Sequence, residues 1–401
     1  MNVVRKGVRK MKILVVGGGS GGHVTPVVAV LAAIKSERPR TELRFWCDRS
    51  FLTATQSILE GNGLKVPVTP ILSGKLRRYN GISIWKQLLD IPTTLKNIRD
   101  GIFVLAGFVQ SLVLLVIWWP DVIFTKGGFV CLPVGLAARV LRIPLVIHDS
   151  DAHPGLTNRV LSRHATKILT GAPVEYYPYD KAKTTYVGIP ISAGFTPLTL
   201  SAAAEVKAAL GFDAKRPLVV VTGGGLGARR LNDAVIKAAD DLLKITSILH
   251  ITGTINYDEA IAHAPKQTDY KILPFVSKDM NQMMGAADVV IARAGATTML
   301  ELASLHKATI LVPNAQLTGD HQTKNAKVYA DAGAAIVLSE EAIEQNPALL
   351  VDTLTRLLKN ADERAAYEKA IGAMAKPQAA QDVASALFEA ASAKAVKEAN
   401  R

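Results

Sequence analysis

The length, composition and cysteine content of the chain bound its class. At 401 residues it is too long for one ordinary hydrophobic core, so we expect two domains. Apolar residues make up 49% and charged residues 20%, which excludes a mainly disordered, collagen-like or coiled-coil protein. Cys47 and Cys131 belong to no Cys/His cluster, which argues against a disulfide scaffold and a structural zinc site and favours a reducing compartment. Residues 1–10 lead into a strand-like run without a secretory cleavage segment, and Met11 is an alternative natural start.

The positive charge of the chain is concentrated in one half. The net charge is +13, and residues 1–200 carry essentially all of it. A one-sided basic surface favours an anionic partner, whether nucleic acid, acidic phospholipid or a phosphorylated substrate. The basic half contains no aromatic-interleaved binding motif, so we expect no nucleic-acid partner.

An apolar stretch over 102–119 follows part of this positive charge in the chain. It is interrupted only by Gly107, Gln110 and Ser111 and is ended by Pro120. Six cations precede it: Lys75, Arg77, Arg78, Lys86, Lys96 and Arg99. This juxtaposition predicts a helix that dips into an anionic leaflet with its cations at the headgroups. A buried core helix and a true transmembrane span are the alternatives.

Short β-branched runs alternate with helical stretches, which predicts the α/β class with parallel sheets and crossover helices. The strand candidates are 12–16, 43–46, 121–124, 144–148, 166–169 and 184–187 in the first half, and 218–221, 247–251, 271–273, 288–291, 309–312 and 335–338 in the second. We therefore expect each half to form one doubly wound, Rossmann-like unit.

Two glycine turns support this division into halves. An apolar strand precedes the turn over 17–22 and another precedes the turn over 223–228, so both halves begin as strand, turn and helix. We expect an N-terminal domain over 11–188, a C-terminal domain over 189–375 and a closing helix over 376–401. Ligands in such folds bind at the carboxyl ends of the strands, which places the expected site in a cleft between the domains.

The first glycine turn carries chemical information. Five glycines over 17–22 allow close backbone approach, and the helix that follows offers free N–H groups to a phosphate. The pattern also fits a dinucleotide-binding GxGxxG, but the second glycine turn is then unexplained. His23 follows the turn directly, so it is a candidate for orienting or deprotonating an acceptor hydroxyl, the alternative being a structural histidine.

The segment 288–301 is more specific. A buried strand ends in Ala-Gly, two hydroxyl residues able to cap a helix follow, and Glu301 lies four residues after Thr297 on the same helical face. A diphosphate fits the helix N-terminus, and ribose hydroxyls fit the carboxylate; an exposed helical charge is the alternative. The polar loop over 316–325 follows the next strand and offers contacts to a sugar.

Six segments carry recognisable motifs in a fixed order. They are GGGSGGHVTP at 17–26, KGGFVCLPVGLAA at 126–138, PGLTNRVLSRHATKI at 154–168, GGGLGARRLN at 223–232, ARAGATTMLELA at 292–303 and DHQTKNA at 320–326. Together they resemble the MurG family of N-acetylglucosaminyltransferases, which convert lipid I to lipid II in peptidoglycan synthesis. The resemblance extends from about residue 11 to about residue 370.

The resemblance implies a GT-B fold attached peripherally to the cytoplasmic face of the cell membrane. It implies inverting transfer of N-acetylglucosamine from UDP-N-acetylglucosamine to the C4 hydroxyl of N-acetylmuramic acid in lipid I, without a covalent enzyme intermediate. The implied partners are UDP-N-acetylglucosamine, lipid I and anionic inner-membrane lipids. No cofactor is required, although the pattern leaves room for stimulation by a divalent cation.

The resemblance also assigns residues. His23 is the implied catalytic residue. The implied donor-binding residues are Ser20, Gly21, Gly22, Gly225, Val276, Ala296, Thr297, Thr298, Glu301 and Gln322. The implied acceptor-binding residues are Gly127, Gly128, Asp151 and Asn158.

Three departures from the family pattern keep alternatives open. Where the family commonly has His-Glu-Gln-Asn, residues 148–151 are His-Asp-Ser-Asp. Ser192 replaces the arginine that usually follows the interdomain Asn-Pro-Val, and the turn at 223–226 lacks a hydroxyl and an amide that the family usually has. These changes favour the alternative of a UDP-sugar transferase of the same fold for another lipid acceptor. A non-catalytic UDP-sugar-binding membrane scaffold is a further alternative. Residues 149–151 also have the Asp-x-Asp form of metal-bound sugar nucleotides, but two carboxylates alone are weak evidence, so we expect no metal site.

Overall fold

The computed structural model describes residues 10–18, 21–75, 90–192, 194–225, 227–276, 279–316 and 320–399. The chain divides into two compact units. The first contains the chain up to Ser150, Pro154–Ser192 and the residues from Gln378 onward. The second contains Asp151–His153 and Ala193–Pro377.

Parallel strands form one sheet in each unit. The first sheet contains β1 (Lys12–Val16), β2 (Glu42–Asp48), β3 (Val68–Ile71), β4 (Val122–Thr125), β5 (Leu145–Asp149), β6 (Lys167–Thr170) and β7 (Thr184–Tyr186). The second contains β8 (Leu218–Thr222), β9 (Ser247–Ile251), β10 (Tyr270–Leu273), β11 (Val289–Ala292), β12 (Thr309–Leu311) and β13 (Ile336–Val337). Their spatial orders are β3-β2-β1-β4-β5-β6-β7 and β10-β9-β8-β11-β12-β13. The order reverses beside β1 and beside β8, so each sheet has its switch point next to its first strand.

Helices connect the strands. In the first unit they are α1 (Gly21–Glu37), α2 (Leu52–Gly61), α3 (Ile91–Trp118), α4 (Cys131–Val140) and α5 (Leu156–Leu161), and the second unit begins with α6 (Leu200–Ala209). Further along they are α7 (Arg229–Leu242), α8 (Tyr257–His263), α9 (Met280–Ala286), α10 (Ala296–Ser304) and α11 (His321–Asp331). The last are α12 (Glu340–Gln345), α13 (Ala348–Lys359), α14 (Ala361–Ala373) and α15 (Ala379–Ala399). Val383 and Leu387 of α15 are buried in the same core as β1 and α1, so the last helix completes the first unit.

The predicted α/β class with two doubly wound parallel sheets is confirmed, and each strand candidate overlaps an observed strand. Strand β3 was not predicted. Prolines at 67 and 70 argue against a strand, because proline cannot donate to a ladder. Strand β3 is an edge strand with β2 on one side only, and an edge tolerates proline.

The apolar stretch is helical, as predicted, but the helix is longer than 102–119. It begins at Ile91, where the Asp90 carboxylate accepts a hydrogen bond from the backbone N–H of Thr93 at 3.3 Å. Only 22% of its apolar window is buried, which argues against a core helix. By length and composition α3 could cross a membrane, a property that does not distinguish a span from a helix lying on a surface.

The polar interruptions of α3 mark its inward face. A Cβ on Gly107 would lie 1.8 Å from the carbonyl oxygen of Leu72, so only glycine fits there. Gln110 accepts a hydrogen bond from the backbone N–H of Leu72 at 2.9 Å and donates one to the carbonyl of Pro70 at 3.0 Å. The helix thus packs against edge strand β3 through small and polar residues. Leu115 and Trp118 near its end are buried, whereas many of its other large apolar side chains, such as Leu105 and Val113, are exposed.

A buried histidine in the second unit makes stability depend on pH. His250 of β9 is fully buried, with Nδ1 2.6 Å from the Tyr270 hydroxyl and Nε2 3.1 Å from the Asn232 side-chain oxygen. Burial lowers the pKa of His250 to about 3. Below the unfolded pKa of about 6.5, the unfolded chain binds a proton that the folded chain does not.

We therefore expect His250 to lower the free energy of unfolding as the pH falls from 6.5 towards 3, by about 1.4 kcal/mol per pH unit. Guanidinium unfolding at pH 7 and pH 5 measures the loss, which is about 2 kcal/mol for this group. His250→Asn should show a smaller loss between the same two pH values. Equal losses in the two proteins would contradict this assignment.

Candidate functional site

The carboxyl ends of β8 and β11 form the edge at which the predicted donor residues of the second unit gather. These strands are neighbours, and each is followed by a short turn and a helix. The turn over 223–228 leads from β8 into α7, and the turn over 293–295 leads from β11 into α10. Adjacent turns of this kind at a switch point are where parallel α/β sheets bind ligands.

Glycine is required in the turn after β8. A Cβ on Gly223 would lie 2.5 Å from the Cβ of Ala228, and one on Gly227 would lie 2.3 Å from the carbonyl oxygen of Thr252. Gly227 also has a φ of +77°, which side chains disfavour. Gly225 is less constrained: a Cβ there would meet only the ring of Phe275, at 3.9 Å. The half-exposed Phe275 therefore lies beside this turn, directly before the predicted Val276.

Helix α10 begins without a side-chain cap. Its cap residue is Gly295, so Thr297 and Thr298 lie within the first turn. The prediction that these two hydroxyl residues cap the helix is therefore wrong. No side chain at the cap position accepts a hydrogen bond from the first-turn N–H groups, which include that of Ala296. Uncapped N–H groups at a helix N-terminus bind anions.

Glu301 lies on the same helix, one turn further along. Burial raises the pKa of its carboxyl to about 7. Among the described residues, we find no side chain that forms a hydrogen bond or ion pair with this carboxyl. A desolvated carboxyl that pairs with no described side chain, next to an uncapped helix start, is typical of a ligand site.

The start of α11 holds further buried polar groups that pair with none of the described residues. Asp320 Oδ1, His321 Nδ1 and Thr323 Oγ1 are buried and have no hydrogen-bond partner among the described residues. Gln322, the predicted sugar contact, accepts a hydrogen bond from the backbone N–H of Asn314 at 2.9 Å. His321 and Thr323 were not singled out from the sequence, although the motif over 320–326 contains both.

Asn325 fixes this helix to its surroundings in the second unit. Its Nδ2 donates to Asp151 Oδ1 at 3.0 Å and to the carbonyl of Ala294 at 3.1 Å, and its Oδ1 accepts from the N–H of Ala152 at 2.8 Å. Asp151, a predicted acceptor residue, therefore belongs to the second unit. The structure does not group it with Gly127, Gly128 and Asn158, which belong to the first.

In the first unit, the predicted acceptor residues lie at the carboxyl ends of β4 and β5. Gly127 and Gly128 follow β4 with φ values of +90° and +88°, and a Cβ on Gly127 would lie 3.3 Å from Asn158 Nδ2. Asn158 is buried and donates to the carbonyl of His148 at 3.1 Å. These three residues are therefore brought together around one backbone turn.

Buried polar groups surround that turn. His148 Nε2 is 2.8 Å from the carbonyl of Gly188, while His148 Nδ1 and Asn158 Oδ1 have no partner among the described residues. Burial and the nearby Lys126 cation hold the pKa of His148 well below its usual range. Lys126 is itself buried and donates to the Ser150 hydroxyl. The sequence reasoning assigned no role to Lys126, although it opens the motif at 126–138.

The first glycine turn is described in part. A Cβ on Gly18 would lie 2.5 Å from Asp48 Oδ2, which explains a glycine there. Ser20 lies outside the described residues. Helix α1 begins at Gly21, so Gly22 and His23 belong to its first turn; the His23 side chain is outside the described part of the chain.

The carboxylates of the Asp-x-Asp segment have separate partners. Asp149 Oδ2 accepts a hydrogen bond from the Tyr179 hydroxyl at 2.7 Å in the first unit, whereas Asp151 accepts from Asn325 in the second. Within the ranges that the structure describes, no group of three or more His, Cys, Asp or Glu side chains could hold a metal ion.

Comparison with known proteins agrees with this architecture. The glycosyltransferase family 28 N-terminal domain matches residues 13–170, and the family 28 C-terminal domain matches residues 218–383. A Lachnospira eligens protein is 34% identical over 84% of this chain and 89% of its own length. It is named UDP-N-acetylglucosamine–N-acetylmuramyl-(pentapeptide) pyrophosphoryl-undecaprenol N-acetylglucosamine transferase. A Bacillus cereus protein with that name and the suffix 2 is 33% identical over 88% of this chain and 91% of its own length.

A solved structure is also similar. The crystal structure of Acinetobacter baumannii MurG superposes with a TM-score of 0.70 at 26% identity, over 95% of this chain and 100% of that one. This similarity confirms the expected GT-B fold class. The chain therefore belongs to glycosyltransferase family 28 and, within it, to the MurG family that its motifs resemble.

Proposed function

We propose that this protein transfers N-acetylglucosamine from UDP-N-acetylglucosamine to the C4 hydroxyl of N-acetylmuramic acid in lipid I, giving lipid II for peptidoglycan synthesis. The observation that carries the proposal is Glu301: its carboxyl is desolvated, and no described side chain pairs with it. It lies on a helix whose first turn follows a glycine cap at the switch point of the second sheet. The named relatives are transferases with this donor and acceptor in their names.

The donor is assigned to the second unit, in the predicted domain 189–375. The Glu301 carboxylate accepts hydrogen bonds from the ribose hydroxyls, and the first-turn N–H groups of α10 and the glycine turn at 223–228 bind the diphosphate. The exposed ring of Phe275 and the backbone of Val276 contact the uracil. Gln322 and the neighbouring side-chain atoms of His321 and Thr323, for which no described residue is a hydrogen-bond partner, contact the sugar.

The acceptor is assigned to the first unit, in the predicted domain 11–188. Gly127 and Gly128 present backbone N–H groups without side-chain obstruction, and the Asn158 amide lies beside Gly127. His23, at the start of α1, accepts the proton of the attacking C4 hydroxyl. That hydroxyl attacks the anomeric carbon as UDP leaves, which inverts the configuration there. Helix N-termini and backbone N–H groups stabilise the charge that develops on the UDP, so the step needs no metal ion.

The test is a turnover assay with purified protein, UDP-N-acetylglucosamine and a short-chain lipid I analogue. UDP release should require the acceptor and match the amount of glycosylated acceptor formed. UDP-sugar binding without turnover of this acceptor would contradict the proposal. It would favour a different lipid acceptor or the scaffold role, which the replacement of the family's usual residues at Ser192 and Gly225 leaves open.

We infer that the protein binds peripherally to the cytoplasmic face of the membrane through the outward face of α3. Several apolar side chains on this helix are more than half exposed, among them Leu105 at 64% and Ile117 at 74%. Trp119, 39% exposed, follows the end of the helix, and tryptophan favours the membrane interface. The excess of cations in residues 1–200 attracts anionic lipids.

Charged residues on this face are expected to release the protein from membranes. The double variant Leu105→Asp/Ile117→Asp should lose at least about tenfold in partitioning to vesicles with anionic lipid, because two charges must then enter the interface. Leu115 is unsuitable for this test because it is fully buried. Vesicle sedimentation measures the loss, and Leu200→Asp, at a 93% exposed leucine of the second unit, is the control. Unchanged partitioning of the double variant would refute the assignment.

A further inference from the structure

A buried carboxylate connects the glycine-containing turn that follows β8 to the one that follows β11. Glu340, the first residue of α12, is 5% exposed. Its Oε1 accepts a hydrogen bond from Arg293 Nη2, and its Oε2 accepts one from Arg230 Nη1 at 2.9 Å. Each oxygen of this one carboxylate therefore binds a different arginine.

The first of these arginines lies within the turn before α10. Arg293 directly follows β11 and is buried, with 7% of its surface exposed. Its backbone N–H approaches the carbonyl of Thr222, the last residue of β8, at 3.3 Å. Its Nη1 donates to the carbonyl of Val312 after β12 at 2.9 Å. Arg293 thus joins the carboxyl ends of three neighbouring strands beside the uncapped start of α10.

The second arginine follows the other glycine turn. Arg230 lies in the first turn of α7, immediately after the turn over 223–228. Besides Glu340, it binds Glu344 through two hydrogen bonds, Nε to Oε1 at 2.5 Å and Nη2 to Oε2 at 2.6 Å. Because Glu340 binds both arginines, it couples the position of the α7 turn to that of the α10 turn.

We propose that Glu340 is a positioning residue that sets the spacing of the two anion-binding turns for the diphosphate of the donor. This inference rests on the proposed function. Glu340 does not touch the donor; it acts through Arg293 and Arg230. A diphosphate that must contact both turns is sensitive to shifts well below 1 Å, whereas a ligand held by one turn is not.

Glu340→Gln tests this proposal because the amide keeps the shape of the carboxylate but cannot accept from both arginines through charged oxygens. We expect UDP to bind about tenfold more weakly, uridine to change by less than about twofold, and the KM for UDP-N-acetylglucosamine to rise more than kcat falls. The direction of the change in UDP affinity distinguishes lost geometry from lost charge. Removing a negative charge near an anion site would by itself strengthen UDP binding, so weaker binding indicates lost geometry.

Glu341→Gln is the matched control. Glu341 is the next residue of α12, is exposed, and contacts Gln345, not Arg293. The Glu341→Gln substitution removes the same charge as Glu340→Gln and should leave the binding of UDP and of uridine unchanged. Equal or tighter UDP binding by a folded Glu340→Gln protein, or equal losses of UDP and uridine, would overturn the positioning role. If Glu340→Gln does not fold, Arg230→Lys, which retains the charge but loses the fork of donors, should show the same selective loss of UDP.

Failure of the proposed function has a different outcome. If the unaltered protein neither binds UDP more tightly than uridine nor turns over UDP-N-acetylglucosamine, the donor assignment itself is wrong. If the unaltered protein does both and Glu340→Gln behaves like Glu341→Gln, only the positioning role is wrong.

Discussion

Replacing Glu301 by alanine is expected to weaken the binding of UDP about 100-fold while the protein stays folded. Two ribose hydroxyls donating to one carboxylate contribute about 3 kcal/mol, which corresponds to this factor. Folding should not suffer, because no described side chain pairs with the carboxyl and its burial already opposes the charged form. Titration calorimetry measures the affinity, and circular dichroism checks the fold.

A ligand without the ribose hydroxyls isolates the role of Glu301. The unaltered protein should prefer UDP over 2′,3′-dideoxy-UDP by about the same 100-fold, and Glu301→Ala should bind the two ligands equally. Glu363→Ala, at a glutamate of α14, is a control that should leave the preference intact. A preference for UDP that survives Glu301→Ala would remove Glu301 from the ribose site.

The pKa of Glu301 gives this interaction a pH dependence. Burial raises the pKa of the carboxyl to about 7 in the free protein, and hydrogen bonds from the ribose favour its ionised form. The affinity for UDP-N-acetylglucosamine should therefore fall as the pH drops below 7, and binding at pH 7 should release protons. The sugar nucleotide is the right ligand here, because its diphosphate has no free terminal phosphate to titrate near pH 6. Glu301→Gln should bind independently of pH between 6 and 8, and a retained pH dependence would point to another group.

Replacing His23 by alanine is expected to lower kcat about 100- to 1,000-fold with little change in donor affinity. This is the usual contribution of a general base, and His23 lies in the first turn of the helix that follows the first glycine turn. Steady-state kinetics with the lipid I analogue measures kcat, and calorimetry measures the affinity for UDP-N-acetylglucosamine. Added imidazole should restore part of the activity. A His23→Ala enzyme with nearly normal kcat would show that another group takes the proton.

The architecture followed from the sequence because strands buried on both faces must be continuous apolar runs. Residues 218–221 and 289–292 are such runs, and both lie in central strands. The sequence did not predict β3, because the prolines at 67 and 70 argued against a strand although an edge strand tolerates them. In α3 it revealed the apolar run but not the start at Ile91, because residues 91–100 are polar enough to resemble a loop.

The positions of Gly127 and Glu301 beside strand-to-helix turns were predictable, because each lies close to its turn in the sequence, while their roles stay predictions. Contacts between residues far apart in sequence were not. Nothing near Arg293 indicates that its partner is Glu340, and nothing near Asp151 indicates that Asn325 binds it, because both pairs are brought together only by the folded sheet. The assignment of Asp151 to the second unit has the same origin.

The central claim is direct inverting transfer from the donor to lipid I, and the stereochemistry of the product tests it most directly. Purified protein is incubated with UDP-N-acetylglucosamine and a short-chain lipid I analogue, and the new linkage is read by nuclear magnetic resonance. Our account predicts N-acetylglucosamine on the C4 hydroxyl of N-acetylmuramic acid, with the anomeric configuration opposite to that of the donor. A product that retains the donor configuration, or no product from an acceptor that the protein binds, would contradict it.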